Sequence, residues 1–392
     1  MNPSRRTFLA ASSAALAVTA PTARAAADGP FQFRSPPVLT NPTPDGVTVL
    51  WATSGPATGW IEYGETERLG SKAGGATDGL MPFDERVFKV RLAGLKPGCR
   101  YFYRVHAVRI DFRGPYDIRR VGTDAVASEV YRFTTPPADP AEVRFTVWND
   151  THEVADTLKA LHTAHQKEPG DFLLWNGDQT NDITTEERMV AQFLAPAGQP
   201  FAATVPYYYV RGNHDVRGPG ARHLPRFTDG PLYYSFRRGP MAALVLDTGE
   251  DKPDDHPVYG GLNDFAAFRT LQAEWLAKEI EKPEFQSARF KVLFCHIPLW
   301  WKREKNTGDF CGDGRAKWHD LLVKAGVQLV VSGHTHEPAW LPAEKGRPYG
   351  QLIGGGPKPT AATYLRGHAT RDGLTVTQFK LTGEVQYTVK IG

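Results

Sequence analysis

The sequence predicts an all-β sandwich followed by an α/β core built on parallel strands. Two changes of pattern along its 392 residues predict this order. Residues 30–137 carry short strand-like segments separated by Gly- and Pro-rich turns, whereas from residue 142 apolar runs alternate with helical segments. Five of those runs, moreover, end in short stretches rich in Asp, Asn and His. A chain of this length has room for two such units, each with its own core.

Residues 1–25 read as an address rather than as part of the fold. Ser4-Arg5-Arg6-Thr7-Phe8-Leu9 is a twin-arginine start, a mild apolar stretch runs from Phe8 to Ala20, and Ala23-Arg24-Ala25 offers a small-x-small cleavage site. The stretch is too short and too rich in Ala, Ser and Thr to span a bilayer, and no later segment is long enough. No transmembrane anchor is therefore expected. Engagement of the twin-arginine export machinery is, with a periplasmic or secreted destination. Arg5, Arg6 and Arg24 are the charged residues of this segment, so the net charge of +3 falls to zero without it. A neutral chain with no basic run disfavours long nucleic acids as partners. Three cysteines, Cys99, Cys295 and Cys311, are too few for a disulfide framework, though Cys295 and Cys311 could bridge in an oxidising compartment.

In the first unit, strands are expected around Val47–Ala52, Thr58–Tyr63, Arg86–Leu92, Arg100–Val108 and Val130–Thr134. Leu95-Lys96-Pro97-Gly98 followed by Tyr101-Phe102-Tyr103-Arg104-Val105 resembles the turn-then-strand passage of fibronectin III-like sandwiches. Pro136-Pro137-Ala138-Asp139-Pro140 is a stiff linker. The second unit, 142–392, offers buried strands at Arg144–Trp148, Asp171–Trp175, Pro206–Val210, Phe290–Cys295 and Val327–Val331. Helices are expected over Glu153–Glu168, Thr185–Leu194, Phe265–Lys282 and Ala316–Lys324, the last stopped by Gly326. Leu374–Ile391 alternates like a closing hairpin around Gly383.

The chemistry lies at the ends of the five strands. In order they carry Asp150-Thr151-His152, Gly177-Asp178, Gly212-Asn213-His214-Asp215, His296 and Gly333-His334-Thr335-His336. Open α/β sheets hold their ligands at such strand ends. Hard or borderline metal ions accept imidazole and carboxylate, and two neighbouring ions need a shared ligand, for which a carboxylate is suited. Asp178 is the natural bridge. Asp150 and His152, two residues apart, could clasp one ion, and His334 and His336 could reach one ion each. Asn213 adds an amide oxygen and His296 a further imidazole. His214 is left over, and its neighbour Asp215 could hold its ring and raise its pKa, making it a general acid or transition-state stabiliser.

In this order the motifs resemble those of the calcineurin-like metallophosphoesterase superfamily, over about residues 142–356. A fibronectin III-like unit in front of such a core is similar to the arrangement of purple acid phosphatases. The resemblance implies a four-layer α/β core and two divalent transition-metal ions, whether manganese, zinc or iron. Asp150, His152, Asp178 and His336 would hold one ion, Asp178, Asn213, His296 and His334 the other, with His214 beside the substrate phosphate. It also implies attack on phosphorus by a hydroxide held between the ions. Asn149 stands where the family commonly has Gly, and Asn181 where purple acid phosphatases have their iron-binding Tyr.

The expected function is an exported hydrolase of small phosphate esters. A phosphodiesterase or nucleotide hydrolase of the same fold is the alternative, followed by a catalytically inactive binding protein. For the substrate, Trp300, Trp301, Lys302 and Arg303 after His296 form an aromatic, basic segment suited to stacking a ring and holding an anion, with Asn181 near the site. Asp254-Asp255-His256 and Tyr259 form a second candidate loop.

Overall fold

The computed structural model describes residues 30–83, 87–198, 200–301 and 311–392. The signal segment, residues 1–25, lies outside the described residues, as do Lys302 and Arg303.

Eight strands precede the linker: β1 (Val38–Thr43), β2 (Gly46–Ala52), β3 (Ala57–Gly64), β4 (Ser71–Ala73), β5 (Val87–Ala93), β6 (Arg100–Gly114), β7 (Asp117–Ala127) and β8 (Tyr131–Thr134). They form two layers, β1-β2-β5 facing β4-β3-β6-β7, with β8 paired to β6. Between the layers lies a core that includes Leu39, Val49, Trp51, Phe88, Val90, Tyr103, Val105 and Phe133. Alternation explains the sidedness of β5, whose Phe88, Val90 and Leu92 are buried while Lys89 and Arg91 are not. Strands β1, β4 and β7 are absent from the expectation above. Strand β1 contains Asn41 and Pro42, which read as a turn, and β7 exposes polar residues on both faces.

After the linker come β9 (Val143–Trp148), α1 (Ala155–Lys167), β10 (Phe172–Asn176), α2 (Glu186–Met189), β11 (Tyr207–Val210), β12 (Tyr234–Arg238) and β13 (Met241–Val245). They are followed by α3 (Phe265–Glu279), α4 (Pro283–Gln286), β14 (Phe290–Phe294), α5 (Gly312–Ala325), β15 (Leu329–Ser332), β16 (Ala339–Leu341) and β17 (Gly350–Ile353). The chain closes with β18 (Thr363–Ala369), β19 (Leu374–Lys380) and β20 (Val385–Ile391). The expected helix over Thr185–Leu194 is one α-turn capped by the Thr185 hydroxyl, continuing as a wider π-turn over Val190–Leu194. That widening accompanies the burial of Val190, Phe193 and Leu194 in one core. Gly326 ends α5 in the left-handed conformation expected of it (φ 72°).

Two sheets stack face to face. One runs β20-β19-β18-β9-β10-β11-β1-β2-β5, the other β12-β13-β14-β15-β17-β16. Val143, Phe145, Val147, Phe172 and Leu174 of the first pack against Ala243, Val245, Val292, Phe294 and Val331 of the second. Residues in between point outward: Trp148, Leu173 and Trp175 toward Leu158 and Leu161 of α1, Leu244, Leu293 and Val330 toward Leu276 of α3 and Trp318 and Leu322 of α5. The result is helix, sheet, sheet, helix, the four-layer core that the resemblance implies. Cys295 and Cys311 are both buried in the cluster that α3 and α5 cover, and among the described residues no disulfide joins them.

The linker does not separate the two units in space. Strand β1 pairs in parallel with β11, Thr40 opposite Tyr207, so one backbone ladder runs from the sandwich into the core. The seam carries further bonds: the Tyr208 hydroxyl donates to the Pro42 carbonyl (2.6 Å), Tyr103 to Ala203 (2.8 Å), and Lys89 to the carbonyls of Pro225 (2.9 Å) and Thr228 (3.1 Å). Deleting residues 30–137 would expose the β11 edge and the apolar face beside it, a template for aggregation. The truncated chain should elute as aggregate or be insoluble, with every candidate ligand still present. A monodisperse truncated protein with an unchanged substrate profile would show that the unit is a tether. Among the described residues no helix is long and apolar enough to cross a membrane.

Candidate metal centre

Each of the five predicted strands delivers its polar residues at its carboxyl end. Strand β9 is followed by Asp150 and His152, β10 by Asp178, β11 by Asn213 and His214, β14 by His296, and β15 by His334 and His336. Five of these, Asp150, His152, Asp178, His334 and His336, hold the left-handed backbone conformation, with φ between 43° and 70°. Such conformations are costly for residues bearing a Cβ and concentrate at functional sites. The glycines of the motifs make room. A Cβ on Gly177, itself at φ 80°, would overlap the His296 ring, and one on Gly212 would overlap Asp178.

The side chains converge. Asp150, His152 and His336 place ligand atoms within 4.8 Å of one another, as do Asp178, His296 and His334. Between the two groups the His152 Nε2 lies 3.4 Å from Asp178 Oδ2, while His296 Nε2 lies 3.1 Å from the same oxygen. Asp178 thus faces both groups. The Asn213 Oδ1 meets His334 Nδ1 at 2.8 Å, adding the amide to the second. His152, Asp178 and His214 form a third such grouping, overlapping the first two.

These donors fit metal ions better than they fit one another. His296 Nε2 is buried and makes no hydrogen bond, although Asp178 Oδ2 lies 3.1 Å away. His152 Nε2 and His336 Nε2 face each other at 3.1 Å, two ring nitrogens aimed at one space. Their other nitrogens are held: His296 Nδ1 donates to the Asn176 carbonyl (2.9 Å), and His152 Nδ1 to Asn181 Oδ1 (3.1 Å). Such outer partners fix the tautomer that leaves Nε2 for a metal. Burial pushes the Asp150 and Asp178 carboxyls up, yet the surrounding imidazoles together, His296 foremost, outweigh it and hold both below the ordinary carboxylate range. Burial pulls His296 down, but Asp178 and Asp150 lift it to about 10. His334, buried and beside His296, falls to about 4. A pair of buried carboxylates with this many imidazoles calls for positive charge, which cations supply.

Supporting residues absent from the sequence expectation tie these ligands down. Asn149, at the position where the family commonly has Gly, donates its amide to Asp150 Oδ2 (2.6 Å) and to the Gly355 carbonyl (2.8 Å). Glu153 accepts the Asn181 backbone N–H (2.9 Å) and the Thr180 hydroxyl (2.6 Å), and Arg188 anchors it at 3.0 Å. The backbone N–H groups of His334 and His214 donate to Asp150 and Asp178.

Asp215 departs from expectation. It does not hold the His214 ring. Its buried carboxylate accepts from the N–H groups of Thr180 (3.1 Å) and Gly212 (2.9 Å) and from the Tyr209 hydroxyl (2.8 Å). Burial, with the nearby charge of Asp178, raises it to about 7. The reason is local geometry: His214–Val216 is a 3₁₀ turn, and consecutive side chains there point about 120° apart. His214 instead donates from Nδ1 to the Asn181 carbonyl (2.9 Å), and its Nε2 accepts from Arg217 Nη1 (2.9 Å). Arg217, three residues on and on the same face of the turn, was the functional neighbour to look for. Its other nitrogens bind Glu250 twice, at 2.9 and 3.0 Å.

Trp300 also departs from expectation. Its indole N–H donates to the Tyr349 hydroxyl (3.1 Å), the Arg315 guanidinium lies 4.6 Å over its ring, and His319 meets it edge-on at 5.6 Å. Among the described residues it packs, half-buried, beside Arg315 and His319 of α5. Trp301 is half-buried. Asn181 does reach the centre, through the bonds to His152 and His214 given above.

The model of the calcineurin-like phosphoesterase family matches residues 143–338, half of the chain. The chain belongs to that family. The model of the purple acid phosphatase N-terminal domain matches residues 36–135. Among relatives, human serine/threonine-protein phosphatase CPPED1 is 27% identical over 172 residues, 42% of this chain and 49% of that protein. The chain thus matches about half the length of such relatives. Acid phosphatase type 7 of mouse is 25% identical over 319 residues, 75% of this chain and 67% of the relative. In fold, this member of the phosphoesterase family is similar to purple acid phosphatase PPD1 from yellow lupin seeds. The TM-score is 0.68 at 16% identity, covering 91% of this chain and 74% of that one.

Proposed function

We propose that the protein is an exported phosphoesterase that hydrolyses small phosphate esters with two divalent transition-metal ions. One observation carries this reading: seven donor side chains from five strand ends meet in two adjoining groups, and Asp178 faces both. Asp150, His152, Asp178 and His336 would hold one ion, and Asp178, Asn213, His296 and His334 the other. When bound, such ions acidify a water molecule and neutralise the charge that develops on the phosphoryl oxygens. A binding protein with a dead core is disfavoured, because none of the donors is missing.

The chain's own residues supply the rest. Asn176 and Asn181 orient the His296 and His152 rings, and Asn149 and Glu153 hold the loops that carry Asp150 and Asn181. Arg217 brings a permanent cation beside His214, on the approach of an anionic ester. His214 is the group placed to give a proton to the departing alcohol oxygen. For that it needs a proton on Nε2, the atom on which Arg217 now rests, so the Arg217 bond must give way as substrate enters.

A panel of chromogenic mono- and diesters, assayed with manganese, zinc or iron, tests the proposal and separates monoesterase from diesterase. Metal-dependent turnover of at least one ester is expected. Turnover of none sinks the reading.

Colour provides a second check. Purple colour requires a phenolate on ferric iron, and Asn181 offers only an amide. Tyr207 lies in the core behind the sheet, and the Tyr259 hydroxyl donates to Asp251 (3.2 Å). The iron-loaded protein should be nearly colourless in air and should work near neutral or alkaline pH, as a site of carboxylates, imidazoles and one amide favours divalent ions. An intense visible band abolished by replacing one tyrosine would contradict this.

Export is supported by the order of signal features in residues 1–25. Changing Arg5 and Arg6 to Lys together should leave uncleaved precursor in the cytoplasm of an expressing bacterium. Unaltered export of that variant would rule out the twin-arginine route.

A further inference from the structure

Beside the metal centre, past Arg217, the surface opens into a cavity of about 640 Å³. That volume suits an organic group of the size of a small drug. Arg217 is shared between the two places: one nitrogen touches the His214 ring, and the residue lines the cavity. The cavity therefore begins at the cation that sits against His214.

Its walls are of two kinds. Val258 and Leu262 expose 67% and 71% of their surface, apolar area that a bound group would cover, and the Tyr259 ring stands between them in sequence. The remainder is mainly cationic: Arg217, Arg222 and Lys252 line the cavity against Glu250 as the one acid among its lining residues. Glu250 is taken by Arg217, and Lys252 is paired with Asp251 at 2.6 Å. Arg222, exposed on the rim, has no ion-pair partner among the described residues, so its charge is available to a ligand. The loop bearing the apolar wall is pinned rather than loose. Asp254 accepts the first N–H groups of α3, from Phe265 (3.0 Å) and Ala266 (2.8 Å), and Tyr259 is bonded to Asp251.

We propose that this cavity receives the alcohol portion of the substrate and selects phosphate esters whose leaving group is an apolar, ring-sized body carrying an anionic substituent. The inference rests on the phosphoesterase reading of the adjoining site. Val258, Tyr259 and Leu262 would cover the body, and Arg222 would meet the anion. Arg217, released from His214, would stay with the phosphate.

Three monoesters probe it with the full-length, metal-loaded protein: 4-carboxyphenyl phosphate, phenyl phosphate and glycerol 2-phosphate. Each variant is compared with wild type on the same ester, so differences in intrinsic reactivity cancel. Arg222→Ala should lower kcat/KM for the carboxylated ester about fivefold, chiefly through KM, while phenyl phosphate and glycerol 2-phosphate change by less than about twofold. Leu262→Asp should lower kcat/KM for both aryl esters by about tenfold or more and spare the glycerol ester. Both side chains are exposed, so folding is not at risk. Equal losses on all three esters, or none, would overturn the proposal. Binding of 4-hydroxybenzoate by calorimetry reads the cavity without turnover. If no ester is hydrolysed but 4-hydroxybenzoate binds and Arg222→Ala weakens it, the phosphoesterase reading fails and the cavity assignment stands. If esters are hydrolysed but 4-hydroxybenzoate binds equally to both proteins, the cavity assignment fails alone.

Discussion

Asp178→Asn should lower turnover by about a thousandfold or more and take metal content well below that of wild type, the scale expected when a charged group is lost from a preorganised site. The side chain is 1% exposed and faces both donor groups, with His152 and His296 on either side of one oxygen. Asparagine preserves its shape and can still accept the His214 N–H. It removes the negative charge, and it offers one oxygen where the carboxylate offers two. Both ions would lose a ligand in one step, which no other single substitution in the site should achieve. Asn213→Ala or His336→Ala, by comparison, would touch one donor group each. Metal analysis beside steady-state kinetics checks this, with thermal melting of the chelated variant as the control for folding. A variant with wild-type metal and wild-type turnover would remove Asp178 from the bridge.

His214→Ala should behave differently: turnover reduced by about a hundredfold, metal content unchanged, as for a positioned acid–base group. The structure makes this a sharp test, since His214 also forms a grouping with His152 and Asp178 that could hold an ion. Loss of metal in parallel with activity would make His214 a ligand. Retained metal with lost activity assigns it to the substrate, and an ester with a more acidic alcohol should then suffer less. The Arg217 bond to Nε2 disappears in the variant, so KM as well as kcat should respond.

Much of the centre was legible because its chemistry is written locally. Each ligand follows an apolar run by one to five residues, and such runs can be read one at a time. The residues that failed were those whose meaning depends on direction. Asp215 is adjacent to His214 in sequence, but the tight turn sends it back toward Tyr209 and Gly212. Trp300 resembles a stacking platform until Arg315, Tyr349 and His319, from elements later in the chain, are placed around it. Arg217 lies two residues past the Gly-Asn-His-Asp motif, and a 3₁₀ spacing from His214 was the signal that could have found it. The fold followed the same division. The sandwich and the succession of core strands were readable from alternation and run length, and the four layers from the family resemblance. The pairing of β1 with β11 was not, since a ladder between strands some 165 positions apart leaves no trace in either segment. That pairing makes the N-terminal unit an extension of the sheet that carries Asp150, Asp178 and Asn213.

The account rests on paired ions in one preformed site, and a metal titration of the chelator-treated full-length protein tests that most directly. Manganese or zinc would be added stepwise while bound metal and hydrolysis of a chromogenic phosphate monoester are followed together. Binding should saturate at about two ions per chain, with activity absent from the metal-free protein and reaching its maximum only as the second ion binds. Full activity in the metal-free protein, or saturation at a single ion with full activity, would contradict it.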